Sequence, residues 1–171
     1  EKKPGAVGKL IAPFPLSRLD QIRLAFIIEE ELKKGNFIKW TPELGIPMPR
    51  HASPAFIAAR KGHECGRMVI DYRFYNQQCR PPVFCMPDMQ NILQDLCDKR
   101  ARFFNATDLA TGYYQAALSP SEQEWMAVTS KDGLFLPQKL TLGPCWAPFY
   151  FQGRSRSAFP PNFHVYIDDV A

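Results

Sequence analysis

Phe163-His164-Val165-Tyr166-Ile167-Asp168-Asp169-Val170 is the stretch on which the reading of this chain turns. An apolar, aromatic run of strand-forming residues leads directly into two adjacent carboxylates. Side chains alternate along a strand, so Asp168 and Asp169 diverge unless a turn intervenes. Two like charges at the end of a buried strand repel, and a bound cation relieves that cost. Hard oxygen donors select Mg²⁺ or Mn²⁺. Phe103-Phe104-Asn105-Ala106-Thr107-Asp108 repeats the pattern upstream, an apolar approach closing on a carboxylate. Two such strands can hold a pair of ions about 3.5–4 Å apart, the arrangement that organises in-line attack at phosphorus. Read alone, the Asp-Asp pair is equally a solvated turn and Asp108 a helix cap, so the neighbouring segments decide.

Working outward, the segments are short. Sixteen prolines in 171 residues are nearly twice the usual share of about 5% and interrupt the chain repeatedly. Residues 74–86, with Pro81-Pro82, read as irregular, as does 41–54. Between them, Ala55–Ala59 and Arg67–Arg73 pair as a hairpin whose tip, Arg60 to Gly66, gathers Arg60, Lys61 and Arg67. Such a cluster of cations suits a triphosphate or a nucleic-acid backbone, although an ordinary solvated hairpin looks the same in sequence. Trp125–Thr129 and Leu134–Pro137 form a second hairpin turned at Asp132-Gly133.

Residues 1–16 form an extended arm. Ser17 caps a helix with Asp20 in a capping-box pattern, Gly35 ends it, and Leu19, Ile22, Leu24, Phe26, Ile27, Ile28 and Leu32 supply its apolar side. Phe37–Trp40 is a short strand. Pro87 opens a helix to about Lys99 with Met89, Ile92, Leu93 and Leu96 buried, and another opens at Trp146. Strands arriving as hairpins rather than in β-α-β alternation make the fold class α+β.

Composition narrows the function. With 46% hydrophobic residues and 13% aromatics the chain is globular, and its net charge of +4 permits a polyanionic partner without requiring one. No run of 18 apolar residues marks a membrane span. Five cysteines without a CxxC pair read as reduced thiols of an intracellular protein, in a cytoplasmic particle or the nucleus. A zinc site built on His63, Cys65, Cys79 and Cys85 has the wrong spacing for the common types.

Four ordered motifs across residues 53–170 resemble reverse transcriptases of gypsy-type LTR retrotransposons and pararetroviruses. Arg67-Met68-Val69-Ile70-Asp71-Tyr72-Arg73, with Asn76, resembles their fingers motif. Asp108-Leu109-Ala110-Thr111-Gly112-Tyr113-Tyr114-Gln115 resembles the first palm motif. Gly143, Ala147-Pro148 and Phe151-Gln152 resemble the palm helix motif, and Tyr166-Ile167-Asp168-Asp169 the metal-binding motif. The resemblance implies a right-hand polymerase fragment with an antiparallel palm sheet and packed helices: fingers over 17–86 and an incomplete palm over 87–171, within a larger polyprotein. It implies RNA-directed DNA polymerase activity on an RNA or DNA template with primer and dNTP. Asp108, Asp168 and Asp169 become the catalytic carboxylates around two Mg²⁺ (or Mn²⁺) ions, helped by the Leu109 carbonyl. Lys61 and Arg67 hold the triphosphate, Leu142 and Gly143 line the nucleotide pocket, and Tyr113 lies under the sugar, where its bulk excludes a 2′-hydroxyl.

Three features depart from the family pattern. Leu142 stands where Gln or Phe is usual. The segment 152–166 is short and contains Pro160-Pro161, which predicts a curtailed palm helix. The chain stops at Ala171, which predicts a metal-site hairpin without a returning strand and no thumb or RNase H domain. These departures keep open the alternative of an inactive relic or domesticated domain that binds nucleic acid or a protein partner.

Overall fold

A computed structural model describes residues 1–60, 62–83, 86–98, 107–160, 163–167 and 169–170. Helix α1 (Arg18–Lys33) is followed by strands β1 (Phe37–Lys39), β2 (Ala52–Arg60) and β3 (His63–Ile70). Helices α2 (Arg73–Gln78) and α3 (Met89–Asp98) precede β4 (Thr107–Asp108). A 3-10 turn (Gly112–Gln115) and α4 (Pro120–Gln123) lead to the hairpin β5 (Ala127–Ser130) and β6 (Gly133–Pro137). Helix α5 (Ala147–Ala158) precedes β7 (Val165–Tyr166) and β8 (Asp169–Val170). The strands form a five-stranded sheet, β1-β6-β5-β2-β3, and a three-stranded sheet, β4-β8-β7. This is the mixed α+β arrangement that the hairpin pattern predicts.

Helix α1 packs on β1, β2 and β3. Ser17 caps it as its sequence requires: Oγ accepts from the Asp20 amide at 3.1 Å and donates to the Asp20 carboxylate at 2.8 Å. The chain leaves through Gly35, whose φ of +70° suits a residue without Cβ. Only part of the expected apolar side is buried. Leu24 and Ile28 face the core, whereas Leu19, Ile22 and Phe26 are more than half exposed. At 3.6 residues per turn, those three form a ridge on the opposite side of the helix, which the sheet cannot reach. Glu31 takes an inward position instead and is satisfied there by Asn36 (2.6 Å) and Lys34 (2.9 Å).

Strand β2 begins at Ala52, earlier than its composition predicts, and runs through Pro54. Residues Ala52, Ser53 and Pro54 pair in parallel with β5, and from Ala55 the partner is β3, antiparallel. A proline is tolerated where the ladder changes sides. The Pro54 carbonyl is satisfied by the Asp71 amide at 2.9 Å. The β5–β6 register pairs Ser130 with Gly133, so the two-residue loop is Lys131-Asp132 and Gly133, at φ +133°, follows it. The turn therefore sits one residue earlier than the Asp-Gly signal suggests.

Other corrections concern helices. Residues 74–78, expected to be irregular, and Arg73, expected to end the hairpin's second strand, form α2, with Tyr75 buried. A 3-10 turn (Pro42–Leu44) and β2 itself interrupt the segment expected to lack regular structure. Helix α4, absent from the expected elements, has a Ser119 cap and Pro120 at its first position. The stripe on α3 is not buried: Met89 is 51% and Leu93 59% exposed. This helix reaches the small sheet through Asp95, whose carboxylate lies 2.9 Å from His164 Nε2. Far from being curtailed, α5 continues through Gly153 to Ala158, because no proline enters between Phe149 and Phe159. The predicted strand over 103–108 is described only at Thr107–Asp108; the rest lies outside the described residues.

The arm of residues 1–16 is extended, as expected, but clasped to the core. Lys2 bridges to Cys79, and Leu10 bridges in parallel to Ala52. The Ala52 N–H donates to the Lys9 carbonyl at 3.1 Å, and the Ala52 carbonyl accepts from the Ile11 N–H at 3.0 Å. Gly8 permits this approach, since a Cβ there would meet the Arg50 carbonyl carbon at 2.7 Å. His51 is fully buried beneath the arm, stacked on Phe74. Its Nδ1 accepts from the Lys9 amide at 3.3 Å and its Nε2 lies 3.0 Å from Ser53 Oγ. Burial pushes this imidazole below its ordinary pKa, and the Lys9 N–H leaves Nδ1 no room for a proton. The unfolded chain thus binds the extra proton first, so stability is complete above about pH 6.5 and declines as pH falls toward the folded-state value. We expect the unfolding free energy to drop between pH 7 and 5 by at most about 1.4 kcal/mol per pH unit from this group. Denaturant titrations at each pH should show His51→Asn losing that share of the slope.

The four described cysteines, Cys65, Cys79, Cys97 and Cys145, form no disulfide. Among the described residues no helix is long and apolar enough to cross a membrane.

Candidate active site

The small sheet carries the acidic positions. Strand β4 pairs antiparallel with β8, with Thr107 opposite Val170 and Asp108 opposite Asp169. Strand β7 pairs with the other edge of β8, Val165 to Val170 and Tyr166 to Asp169. Positions 108 and 169, distant in sequence, are therefore cross-strand neighbours. Asp168 lies outside the described residues.

Two expectations about this hairpin change. The apolar run is not one strand into the acids; it pairs only at Val165–Tyr166 and then turns. The returning strand is also present, because Asp169 itself opens β8. The reversal is tight, leaving only residues 167 and 168 between paired positions. Ile167 enters it at φ +58°, a conformation that costs a β-branched residue about 1–2 kcal/mol. Helix α5 supports the turn. The Gln152 side chain is buried, its Nε2 donates to the Val165 carbonyl at 2.9 Å, and its Oε1 accepts from the Ile167 amide at 2.5 Å.

The segment after Asp108 folds against the same helix. Thr111 adopts φ +51°, and the Gly112 amide donates to the Leu109 carbonyl at 3.0 Å. That carbonyl, expected at the metal, thus already accepts one hydrogen bond and keeps one lone pair. Tyr113 stacks on Phe151 of α5, ring centroids 4.8 Å apart and planes 22° apart. Gly112 allows this contact, since a Cβ there would meet Phe151 Cζ at 2.6 Å. Burial pushes the neighbouring Tyr114 hydroxyl up to about 12.

The expected nucleotide-binding residues divide. Arg67 is exposed on β3, the edge strand of the larger sheet, not on the sheet holding Asp108 and Asp169. Lys61 lies outside the described residues. Leu142 is 67% exposed at the corner before α5. Gly143 follows at φ +117° with Tyr72 packed behind it, close enough to bar a Cβ. Asn76 fixes this corner: its Nδ2 donates to the Gly143 carbonyl at 3.0 Å and its Oδ1 accepts from the Cys145 amide at 2.8 Å. Beside it, Arg73 forks onto Asp71 at 2.8 and 2.7 Å, and that hydrogen bonding holds the Asp71 carboxyl below its usual range. A cleft of about 760 Å³ opens here between Phe14, Phe56, Val69, Arg73 and Gly143. Asn76 and Gln152 stood in the recognised motifs without an assigned role, and their signal was a polar side chain at a position that folding buries or bridges.

Asp169 is exposed and makes no ion pair among the described residues. An exposed carboxylate in register with a second acidic position supplies donors of the kind that a hard divalent cation prefers. Among the described residues alone, no three potential ligands converge.

No family model matches the chain. It is 30% identical over 173 residues to the enzymatic polyprotein of Figwort mosaic virus (strain DxS), an alignment covering 95% of the chain and 25% of that relative. It is 28% identical over 165 residues to the retrovirus-related Pol polyprotein from transposon 297 of Drosophila melanogaster, covering 92% of the chain and 15% of the relative. With the Pol polyprotein from transposon gypsy the identity is 29% over 148 residues, covering 80% and 14%. The chain thus spans a quarter or less of each of these relatives. Over most of its length the chain is homologous to Pol-type polyproteins of pararetroviruses and Drosophila retrotransposons, consistent with a reverse-transcriptase-like region.

Proposed function

We propose that this chain is the fingers and part of the palm of an RNA-directed DNA polymerase, extending a primer 3′-end with dNTPs. The observation that supports the reading is the β4–β8 register, which makes positions 108 and 169 neighbours where β8 begins. Asp108, Asp168 and Asp169 would hold two Mg²⁺ (or Mn²⁺) ions, with Asp108 and Asp168 the principal ligands and the Leu109 carbonyl assisting. When bound, such ions activate the attacking hydroxyl and neutralise charge on the leaving pyrophosphate. The remaining work falls to positioning, which dominates catalysis of phosphoryl transfer. Lys61 and Arg67 hold the triphosphate, and Leu142 and Gly143 bound the nucleotide pocket.

The test is primer extension by the polyprotein segment that contains this chain. It should add dNTPs to a primed RNA template with Mg²⁺ and stop when the metal is chelated. A folded segment that binds primer–template yet adds nothing would contradict the reading.

Tyr113 offers a finer prediction. Phe151 backs its ring and prevents retreat, so a 2′-hydroxyl meets a fixed wall. Tyr113→Val should raise the ratio of ribonucleotide to deoxyribonucleotide incorporation by about tenfold or more. Single-nucleotide kcat/KM for each sugar would reveal an unchanged ratio if the wall lies elsewhere.

A further inference from the structure

Among the contacts that the assigned roles leave out is the one made by Gln152. We propose that Gln152 is a positioning residue that sets the acidic hairpin, by gripping the backbone on the approach to Asp168 through both halves of its amide. The inference rests on the polymerase reading above and names the residue that holds its metal-binding turn in place.

Gln152 is 3% exposed, so its amide needs partners within the protein. Both are on the hairpin: Nε2 donates to the Val165 carbonyl at 2.9 Å, and Oε1 accepts from the Ile167 amide at 2.5 Å. The two contacts bracket Tyr166 and end one residue before Asp168. They fall where the backbone is strained, since Ile167 sits at φ +58°. A strained residue persists only where its surroundings over-determine it, and such residues gather at functional sites. An amide is suited to this grip because it donates and accepts without carrying charge. A carboxylate could receive the Ile167 N–H but not donate to Val165, and it would add a third negative charge near Asp168 and Asp169. Asparagine is one methylene short. Phe151, the preceding residue of α5, backs Tyr113. One helix turn therefore braces both the segment after Asp108 and the hairpin that carries the other two acids.

The experiment compares wild type, Q152M and Q152E in the polyprotein segment, with D168N as the inactive control. Q152M keeps the volume and removes both hydrogen bonds. Amide hydrogen exchange in the peptide spanning 163–170 should accelerate about tenfold in Q152M, the size expected for loss of one to two net hydrogen bonds. Incorporation should fall about tenfold or more, and the Mg²⁺ midpoint should rise by a similar factor, because displaced ligands weaken both. The dNTP KM and primer–template affinity should change little and the melting temperature should fall by only several degrees, which separates misplacement of the acids from general unfolding. Q152E keeps only the Ile167 contact and should be intermediate in exchange; it serves alone if Q152M fails to fold. Unchanged exchange and an unchanged Mg²⁺ midpoint beside an active wild type would overturn the role of Gln152 and leave the polymerase reading standing. A folded wild type as inactive as D168N would overturn that reading and the catalytic role of the grip together.

Discussion

Asparagine at position 108 or 168 should lower dNTP incorporation by at least about 10³-fold, equivalent to about 4 kcal/mol of transition-state stabilisation. The substitution keeps size and shape and removes one negative charge, so it tests charge rather than packing. In the proposed site those charges hold the divalent ions, and a neutral amide oxygen is a far weaker ligand for a hard cation. Asp169→Asn should cost less than either, because Asp169 is expected to be the subordinate ligand. Single-turnover incorporation at saturating primer–template and dNTP is the appropriate measurement, since it isolates the chemical step. Primer–template affinity and its salt dependence should stay near wild type, because phosphate contacts by cations set that term. Equal activity of wild type and D168N would sink the proposed chemistry, and retained binding without metal would then favour a domain that only binds nucleic acid.

What the sequence made legible was chiefly what is local. The Ser17 cap, the Gly35 exit and the β2–β3 and β5–β6 hairpins follow from side chains acting on neighbouring backbone, and each is found near its predicted place. The acids at 108 and 169 were legible as a pattern, apolar approach then carboxylate, while their adjacency is a property of strand pairing. The misses share a cause. The return of the chain at Asp169 was hidden because Ile167, a strand former, takes a left-handed turn conformation. Propensity argues against that conformation, and a side chain 15 residues away, on another element, supports it. The ridge of Leu19, Ile22 and Phe26 and the stripe on α3 were expected inside because apolarity predicts burial, but burial also requires a surface opposite. Helix α2 was missed because two prolines nearby coloured the whole segment, though its six residues stop before them. Gln152 and Asn76 carry no composition signal at all, since their meaning lies in distant partners.

Tyr75→Ala should be the most destabilising single change in the described core, at about 3–5 kcal/mol. Tyr75 is fully buried on α2, its ring edge-on to Tyr72 at 5.7 Å and stacked near His51 at 6.3 Å. Its hydroxyl accepts from Trp146 Nε1 at 2.8 Å and Lys2 Nζ at 3.2 Å, and donates to Glu122 at 3.0 Å. One side chain thus joins the arm, α2, α4 and the corner before α5. Burial drives the hydroxyl well above its ordinary pKa, so it remains a donor at any pH at which the protein folds. Truncation to alanine leaves a cavity of ring size and strands the Trp146 donor together. Tyr75→Phe separates the two losses: the ring still packs, while Trp146 and Glu122 lose a shared partner, for a cost of about 1–3 kcal/mol. Urea denaturation should therefore order the three proteins as wild type, Tyr75→Phe and Tyr75→Ala, with the larger step at the ring. If phenylalanine proves as costly as alanine, the polar junction outweighs the packing. The arm and α5 would then be held chiefly through that hydroxyl, and Lys2→Met should reproduce part of the loss, because Lys2 also lies 2.7 Å from Glu122 and over the Tyr75 ring.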